Sequence, residues 1–441
     1  MSRRLSRRTF VQSLAASGIA LPLVSSGRVW AAAAGKVNVA SVGVGGRGWA
    51  DLKEITTSPN VNVVAICDVD ESEPHLGRAA MTFPQAKRYT DWRKLLEQKD
   101  IEAVHVATPD HMHAPVVLAA LELGKPVCCQ KPLTHTVLEA RKIAEATKKA
   151  GVVTQMGNQI QSHEFYRLAT KLVHDGVIGR VKEVHSWQTG VPKWRVAVDR
   201  PAGSDPVPET LHWNDWLGVA PERPYKTGMY HSFNWRAWQD YSNGQLGDFG
   251  CHILDPVFTS LALTAPTAVH AKAPPMNKET WPLWATVHYE FPATQYTVER
   301  GIPVTWYDGE GQSFLPSRDK LAFVPADEKL PGAGSLIIGE LGSLLVPHVA
   351  PPKLFPVEKY ADYKLPELEK RNHFVSWIDA IRGEDKATSH FGYSGPLTET
   401  VLLGTIAIRL PEQALAWNAA GCQFTNSQAA NEMLTKPYRK W

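Results

Sequence analysis

Between residues 36 and 155, short apolar runs alternate with stretches whose apolar positions recur every three to four residues. The runs at 37–44, 61–67, 101–107, 126–130 and 152–156 predict strands. The segments 48–57, 73–82, 91–98, 113–123 and 136–150 predict helices. Strand and helix in strict alternation predict a doubly wound parallel sheet, with ligands beyond the carboxyl ends of its strands. After residue 157 the pattern changes. A helix is predicted at 163–175, then short strands at 181–189, 268–273, 284–291, 295–299 and 303–307, separated by turn residues. That half predicts a mostly antiparallel sheet packed against the first. A long helix is expected around 397–417. No internal repeat is evident.

Two stretches fit neither pattern. Residues 190–245 are rich in Trp, Pro and Gly and too long for a plain connection, which predicts a covering loop with helical turns of its own. Residues 310–370 are rich in Pro and Gly and read as a surface excursion or a subunit contact.

The first strand runs into Gly43-Val44-Gly45-Gly46-Arg47-Gly48, a Gly-x-Gly-x-x-Gly spacing (Gly43, Gly45, Gly48) ahead of a helical pattern. One glycine makes the turn, one lets backbone approach a pyrophosphate, and one lets helix and strand pack closely. The second strand ends in Asp68, twenty positions beyond Gly48, placed to accept hydrogen bonds from a ribose. A carboxylate there repels a 2′-phosphate, so NAD is favoured over NADP. Residues 35–157 are accordingly read as a dinucleotide-binding Rossmann domain. Residues 158–441 form the substrate and oligomerisation domain, an open-sheet α/β unit that makes the whole a mixture of α/β and α+β.

Two further motifs follow strands of the first domain, Thr108-Pro109-Asp110-His111-Met112-His113 and Gln130-Lys131-Pro132-Leu133. Both should face the same crevice. In the second half Asp248 and His252 are four apart, on one face if they share a helix. Pro256 places a helix start just before itself. A His oriented by a carboxylate suits a general base, although the same spacing also describes an N-capping Asp and a packed His. Lys131 offers a cation for a developing alkoxide. Trp213, Trp235 and Arg236 suit either a sugar-facing wall or core packing. Asp110, His111 and His113 have the spacing of a strand–helix turn, so no metal site is assigned.

Composition narrows the class. The 441 residues suffice for two substantial cores, and a net charge of +3 without a basic run gives no sign of a nucleic-acid partner. Five cysteines (Cys67, Cys128, Cys129, Cys251, Cys422) lack metal spacing and read as buried free thiols. Residues 1–34 read as an export signal. Arg3, Arg4, Arg7 and Arg8 precede an apolar stretch, Val11 to Val24, too short for a mature membrane span. Ser6-Arg7-Arg8-Thr9-Phe10-Val11 matches the twin-arginine type, which carries folded proteins. Periplasmic destination and a dinucleotide site together imply a cofactor bound before export and then retained.

Gly-x-Gly-x-x-Gly, Thr108-Pro109-Asp110-His111-Met112-His113-Ala114, Gln130-Lys131-Pro132-Leu133 and Gly247-Asp248-Phe249-Gly250-Cys251-His252-Ile253-Leu254-Asp255 together resemble the Gfo/Idh/MocA oxidoreductases, the group of glucose–fructose oxidoreductase and inositol dehydrogenase. The resemblance spans nearly the whole mature chain. It implies a catalytic set of Lys131, Asp248 and His252, with His252 as base, Asp248 as orienting and substrate-binding partner, and Lys131 as electrostatic and proton-relay group. Cofactor contacts are implied for Gly43, Gly45, Gly46, Arg47, Gly48, Asp68, Thr108, Pro109, Asp110, His113, Gln130, Lys131 and Gln159. Substrate contacts are implied for Lys131, Trp235, Arg236, Asp248 and His252. The chain departs from the family's usual Glu-Lys-Pro at Gln130, which removes a negative charge beside the lysine. The implied function is NAD-dependent oxidation of a secondary hydroxyl on a sugar, cyclitol or glycoside, in a homo-oligomer. Two alternatives stand beside it: a redox-neutral, NAD-dependent glycosidase or lyase, and a non-catalytic carbohydrate-binding protein.

Overall fold

The computed structural model describes residues 35–311 and 314–441. The export-signal reading of residues 1–34 lies outside the described residues. Six strands form the first sheet: β1 (Val37–Val42), β2 (Val61–Cys67), β3 (Lys87–Tyr89), β4 (Ala103–Val106), β5 (Val127–Cys129) and β6 (Thr154–Met156). They run parallel in the order β3-β2-β1-β4-β5-β6. β1 pairs with β2 on one side and β4 on the other, so the strand order reverses there and opens a crevice at their carboxyl ends. The short edge strand β3 has only three residues, two of them charged, and too little apolar signal to announce itself.

Local chemistry fixes the helices between strands. Helix Val137–Ala150 begins in a capping box, Thr136 with Glu139, and ends on Gly151 in the left-handed region (φ 63°). Its last turn carries Lys148 and Lys149, favourable at the negative end of the helix dipole.

The second sheet has nine strands: β7 (Val181–Thr189), β8 (Ala268–Lys272), β9 (Ala285–Phe291), β10 (Ile302–Gly309), β11 (Ala333–Gly339), β12 (Ser343–Pro347), β13 (Lys353–Phe355), β14 (Leu415–Asn418) and β15 (Gln423–Phe424). Their order is β13-β12-β11-β7-β10-β9-β8-β14-β15, antiparallel except for the parallel β7–β10 pair. Fold class is therefore as expected, but three details differ. The stretch 310–370 is no mere excursion, because it supplies β11 and β12, whose Leu336, Ile337, Leu344 and Leu345 are buried. The stretch 295–299 is a turn with one bridge from Thr297 to Val181, since Thr294 and Thr297 hydrogen-bond locally and draw the chain away from the ladder. The long helix is Phe391–Arg409, six residues ahead of the expected start, with Leu415–Asn418 already in β14.

The late helices pack on the first sheet's layer. Glu399 of Phe391–Arg409 pairs with Arg141 at 2.6 Å. Helix His373–Ile381 puts Trp377 and Ile378 into one core with Val37, Val39 and Leu52. Four cysteines are buried, Cys422 is half-buried, and all five are free thiols. Among the described residues no helix is long and apolar enough to cross a membrane.

Candidate active site

A cleft of about 730 Å³ opens at the carboxyl ends of β1, β2, β4 and β5. One wall is the glycine turn. Gly43 has φ +81°, and a Cβ there would lie 2.6 Å from the Ala107 carbonyl oxygen, so both conformation and space demand glycine. A Cβ on Gly48 would lie 2.0 Å from the Gly43 oxygen. Gly48 thus serves strand–helix packing and does not line the cleft. The helix that follows, Gly46–Ile55, has no side-chain cap and no acid in its first turn, which leaves its positive end to an anion.

Asp68 closes this turn. Its Oδ2 accepts from Val44 N at 2.9 Å and Gly45 N at 3.2 Å, and its Oδ1 from Asp70 N at 3.1 Å. A carboxylate has about four acceptor sites, so capacity remains for a ribose hydroxyl on the face lining the cleft. Thr108 lines the same wall, and its buried hydroxyl has no protein partner. The turn, the free helix end, the remaining acceptor of Asp68 and the orphaned Thr108 hydroxyl fit a dinucleotide.

The opposite wall comes from the second half. Asp248 and His252 lie on helix Gly244–Ile253, while Pro256 sits in the first turn of the next helix, Asp255–Leu261, where its missing N–H costs nothing. Lys131 Nζ donates to the Asp248 carbonyl at 2.5 Å and to its Oδ1 at 2.7 Å. Arg236 Nε reaches the same Oδ1 at 3.3 Å, with its guanidinium 4.3 Å from the centre of the Trp235 ring. Burial works to raise the Asp248 pKa, but Lys131 and then Arg236 hold it well below the usual carboxylate range.

The expected partnership of Asp248 with the His252 imidazole is therefore corrected. The carboxylate is drawn to two cations, and no hydrogen bond joins it to His252 among the described residues. His252 is buried, its Nδ1 has no partner, and burial followed by the nearby Lys131 charge pushes its pKa well down. It is a neutral imidazole on a residue that lines the cleft, with its Nδ1 turned into the interior.

The remaining expected residues divide. Gly46, Arg47, Pro109, Gln159, Trp235 and Arg236 all line the cleft. Asp110 does so while its Oδ2 accepts from Asn243 N at 3.1 Å and Nδ2 at 3.3 Å, tying the first motif to the base of the Asp248 helix. Burial pushes the Asp110 carboxyl up to about 7 against the pull of Lys131. His113 is braced between the carbonyls of Pro132 and Thr108, each at 2.8 Å. Burial lowers it to about 4, so the ring is neutral and donates to only one of them. His111 faces the Trp216 carbonyl, off the cleft. Trp213 stacks on Trp216 at 4.7 Å in a buried aromatic cluster and serves packing.

Gln130 does something the sequence did not reveal. Its Nε2 donates to Asp51 Oδ2 at 2.6 Å. Asp51 is buried and also meets Arg47 Nε at 2.6 Å and His105 Nε2 at 3.2 Å. Asp70, His75 and His231 were likewise missed. His231 Nε2 bonds Asp70 Oδ2 at 2.7 Å and joins the covering segment to the loop after β2. The available signals were the i,i+4 spacing of Arg47 and Asp51, and a histidine in a segment already expected to cover the site.

A doubly wound sheet with a glycine turn, an acid after β2, and a helix and covering segment of the second half that close the cleft define a dinucleotide-binding protein. The chain belongs to the Gfo/Idh/MocA oxidoreductase family and carries an NAD-binding Rossmann domain. The family's NAD-binding Rossmann pattern matches residues 37–158 and its C-terminal alpha/beta pattern residues 165–301. The chain is 34% identical over 188 residues to levoglucosan dehydrogenase of Pseudarthrobacter phenanthrenivorans, covering 42% of this chain and 40% of that protein. It is 30% identical over 188 residues to a glycosyl hydrolase family 109 protein of Stenotrophomonas maltophilia, covering 40% of each. Inositol 2-dehydrogenase of Salmonella typhimurium is 32% identical over 148 residues, 33% of this chain and 43% of that enzyme. The chain thus spans about two-fifths of the length of these curated relatives. Among solved structures, levoglucosan dehydrogenase with NADH and L-sorbose superposes at TM-score 0.60 and 17% identity, over 86% of this chain and 98% of that one. Aldose-aldose oxidoreductase of Caulobacter crescentus does so at TM-score 0.57 and 16% identity, over 87% and 100%. At such identities the likeness is one of fold.

Proposed function

We propose that the protein oxidises a secondary hydroxyl of a sugar, cyclitol or glycoside, with NAD held tightly and recycled within the catalytic cycle. The observation that carries this reading is the convergence of Lys131 and a neutral His252 on one cleft wall. Bound NAD would supply the hydride acceptor. Lys131 is placed to hold the substrate oxygen and stabilise charge developing on it. His252, neutral and lining the cleft, is able to take the hydroxyl proton. Asp248 anchors the lysine and is positioned for a neighbouring hydroxyl, and Arg236 on Trp235 forms an amphipathic wall suited to a pyranose or cyclitol face. Support for the substrate class comes from the levoglucosan and inositol dehydrogenases among the relatives.

Retention and periplasmic location rest on the twin-arginine motif of Ser6-Arg7-Arg8-Thr9-Phe10-Val11. The periplasm is not expected to replace a lost nucleotide. The test is to denature the purified exported protein and identify released nucleotide by mass. Stoichiometric NAD or NADH is the expected result. A protein that is empty and binds added NAD only weakly would end the retained-cofactor reading.

Redox-neutral glycoside cleavage is the second reading, favoured by the glycosyl hydrolase family 109 relative and by the covered cleft. Release of a chromogenic aglycone without net NADH would select it over net oxidation.

A further inference from the structure

We propose that Asp70, His75 and His231 form a zinc site that fastens the covering segment over the nucleotide end of the cleft. One donor atom from each residue lies within 4.8 Å of the other two. The three come from two parts of the chain far apart in sequence. Asp70 and His75 belong to the loop after β2, and His231 to the segment that roofs the cleft.

The geometry suits a small tetrahedral ion. With zinc–ligand bonds of about 2.0–2.2 Å, tetrahedral donors stand roughly 3.3 Å apart. Asp70 Oδ2 is 2.7 Å from His231 Nε2 and 3.7 Å from His75 Nε2, on either side of that value. The Asp70 carboxylate is pre-aimed. Its Oδ1 accepts from Ser72 N at 2.9 Å, which leaves Oδ2 toward the two rings. Asp70 is only 6% exposed, and the site is shielded without being sealed.

Two imidazoles and one carboxylate are a zinc donor set, and three protein ligands leave a fourth position open. His75 and His231 line the cleft, and His75 Nδ1 stands 3.9 Å from Asp68 Oδ2. Among the described residues His75 makes no hydrogen bond through its ring. Its ring lies over Gly45, whose added Cβ would fall 2.0 Å from His75 Nδ1. A histidine beside a carboxylate and a second histidine, without a hydrogen-bonding task for its ring, has the surroundings of a metal ligand. A bound ion would also reinforce the seam between loop and roof, now made by Glu71 N to the Thr210 carbonyl and His212 N to the Val69 carbonyl, both 2.9 Å.

The test is metal content, which is independent of turnover and of the redox reading. Full-length exported protein from zinc-supplemented medium is expected to carry about one zinc per chain by elemental mass spectrometry. Reloading the chelated protein with cobalt should give the visible d–d bands of a tetrahedral site. His75→Gln and His231→Gln should each lower zinc affinity by at least about tenfold. Chelation should speed nucleotide release in wild type and leave it unchanged in His75→Gln. His75→Gln disturbs no hydrogen bond and keeps the test valid if His231→Gln fails to fold. Substoichiometric zinc after loading without cobalt bands, or full zinc in His75→Gln, would overturn the site and leave a plain His231–Asp70 hydrogen bond.

Discussion

Gln130 Nε2 donates to Asp51 Oδ2 at 2.6 Å, inside a buried network that also holds His105 and Arg47. The amide at position 130 and the acid at position 51 make a matched pair. The negative charge missing from the usual Glu-Lys-Pro is therefore present one helix away, on a carboxylate that needs a donor at 130. Gly157 closes the pocket from the other side, since a Cβ there would stand 2.4 Å from Gln130 Nε2.

Gln130→Glu should therefore harm this chain although it restores the family motif. Two carboxylates would face each other with little water, and one would have to remain protonated. A loss of roughly 2–4 kcal/mol in unfolding free energy is expected, growing as pH rises from 5 to 8. Gln130→Glu combined with Asp51→Asn should recover most of it. Equal losses in the single and double variants, by urea unfolding, would disprove the pairing.

Lys131→Ala and His252→Asn should each lower turnover by about 10²–10⁴-fold while NAD stays bound within a few-fold. The pH profile separates their roles. His252 is held neutral by burial and by the Lys131 charge, so the acid limb of kcat/KM should lie below pH 6.5 in the wild type. Removing the lysine charge lets His252 protonate more easily, and the limb of residual Lys131→Ala activity should move to higher pH. An unmoved limb would remove His252 from the role of base.

The three glycines should separate cofactor contact from packing. Gly48→Ala sets a methyl 2.0 Å from a backbone oxygen and Gly43→Ala imposes both a clash and a strained φ, so each should cost about 2 kcal/mol or more in stability. Gly45→Ala meets only the movable His75 ring. It should fold with a loss of under about 1 kcal/mol but bind NAD at least about tenfold more weakly. Thermal unfolding with nucleotide titration reads both, and unweakened NAD binding in Gly45→Ala would contradict the dinucleotide placement at this turn.

What was legible in the sequence follows from the range of each interaction. The parallel strands and the glycine turn are written locally, in apolar runs and in residues whose conformation needs glycine. Lys131, Asp248 and His252 were legible as members of motifs, and all three do line one cleft. Their bonding was not, because the four-residue spacing of Asp248 and His252 says nothing of Lys131 and Arg236, which reach Asp248 from 117 and 12 positions away. Asp51 and Gln130 are 79 apart, one on the helix after β1 and the other at the end of β5, and meet only when these have packed. β11 and β12 were hidden by flanking Pro and Gly, since local composition outweighed short apolar runs that gain their strength from pairing with each other and, for β11, with β7.

Asp255 offers a stability test with a definite sign. Its Oδ1 accepts from Asn158 Nδ2 at 2.8 Å and from the Tyr393 hydroxyl at 2.7 Å. Burial pushes the carboxyl up to about 8, so in the folded protein it keeps its proton at neutral pH. The unfolded chain, with an ordinary Asp pKa near 3.8, has lost that proton. Between about pH 4 and pH 8 the folded state binds the extra proton, so rising pH weakens folding through this group by up to about 1.4 kcal/mol per unit. Asp110, raised to about 7, acts in the same direction over a narrower window. An amide in place of the Asp255 carboxyl would mimic the protonated acid, because one oxygen can still accept both bonds while the NH₂ replaces the hydroxyl. Asp255→Asn should therefore be near neutral below about pH 4 and increasingly stabilising toward pH 8, with the gain levelling off above the folded pKa. Denaturant unfolding at four or five pH values measures it directly, and a gain independent of pH would show that Asp255 is ionised in the folded protein.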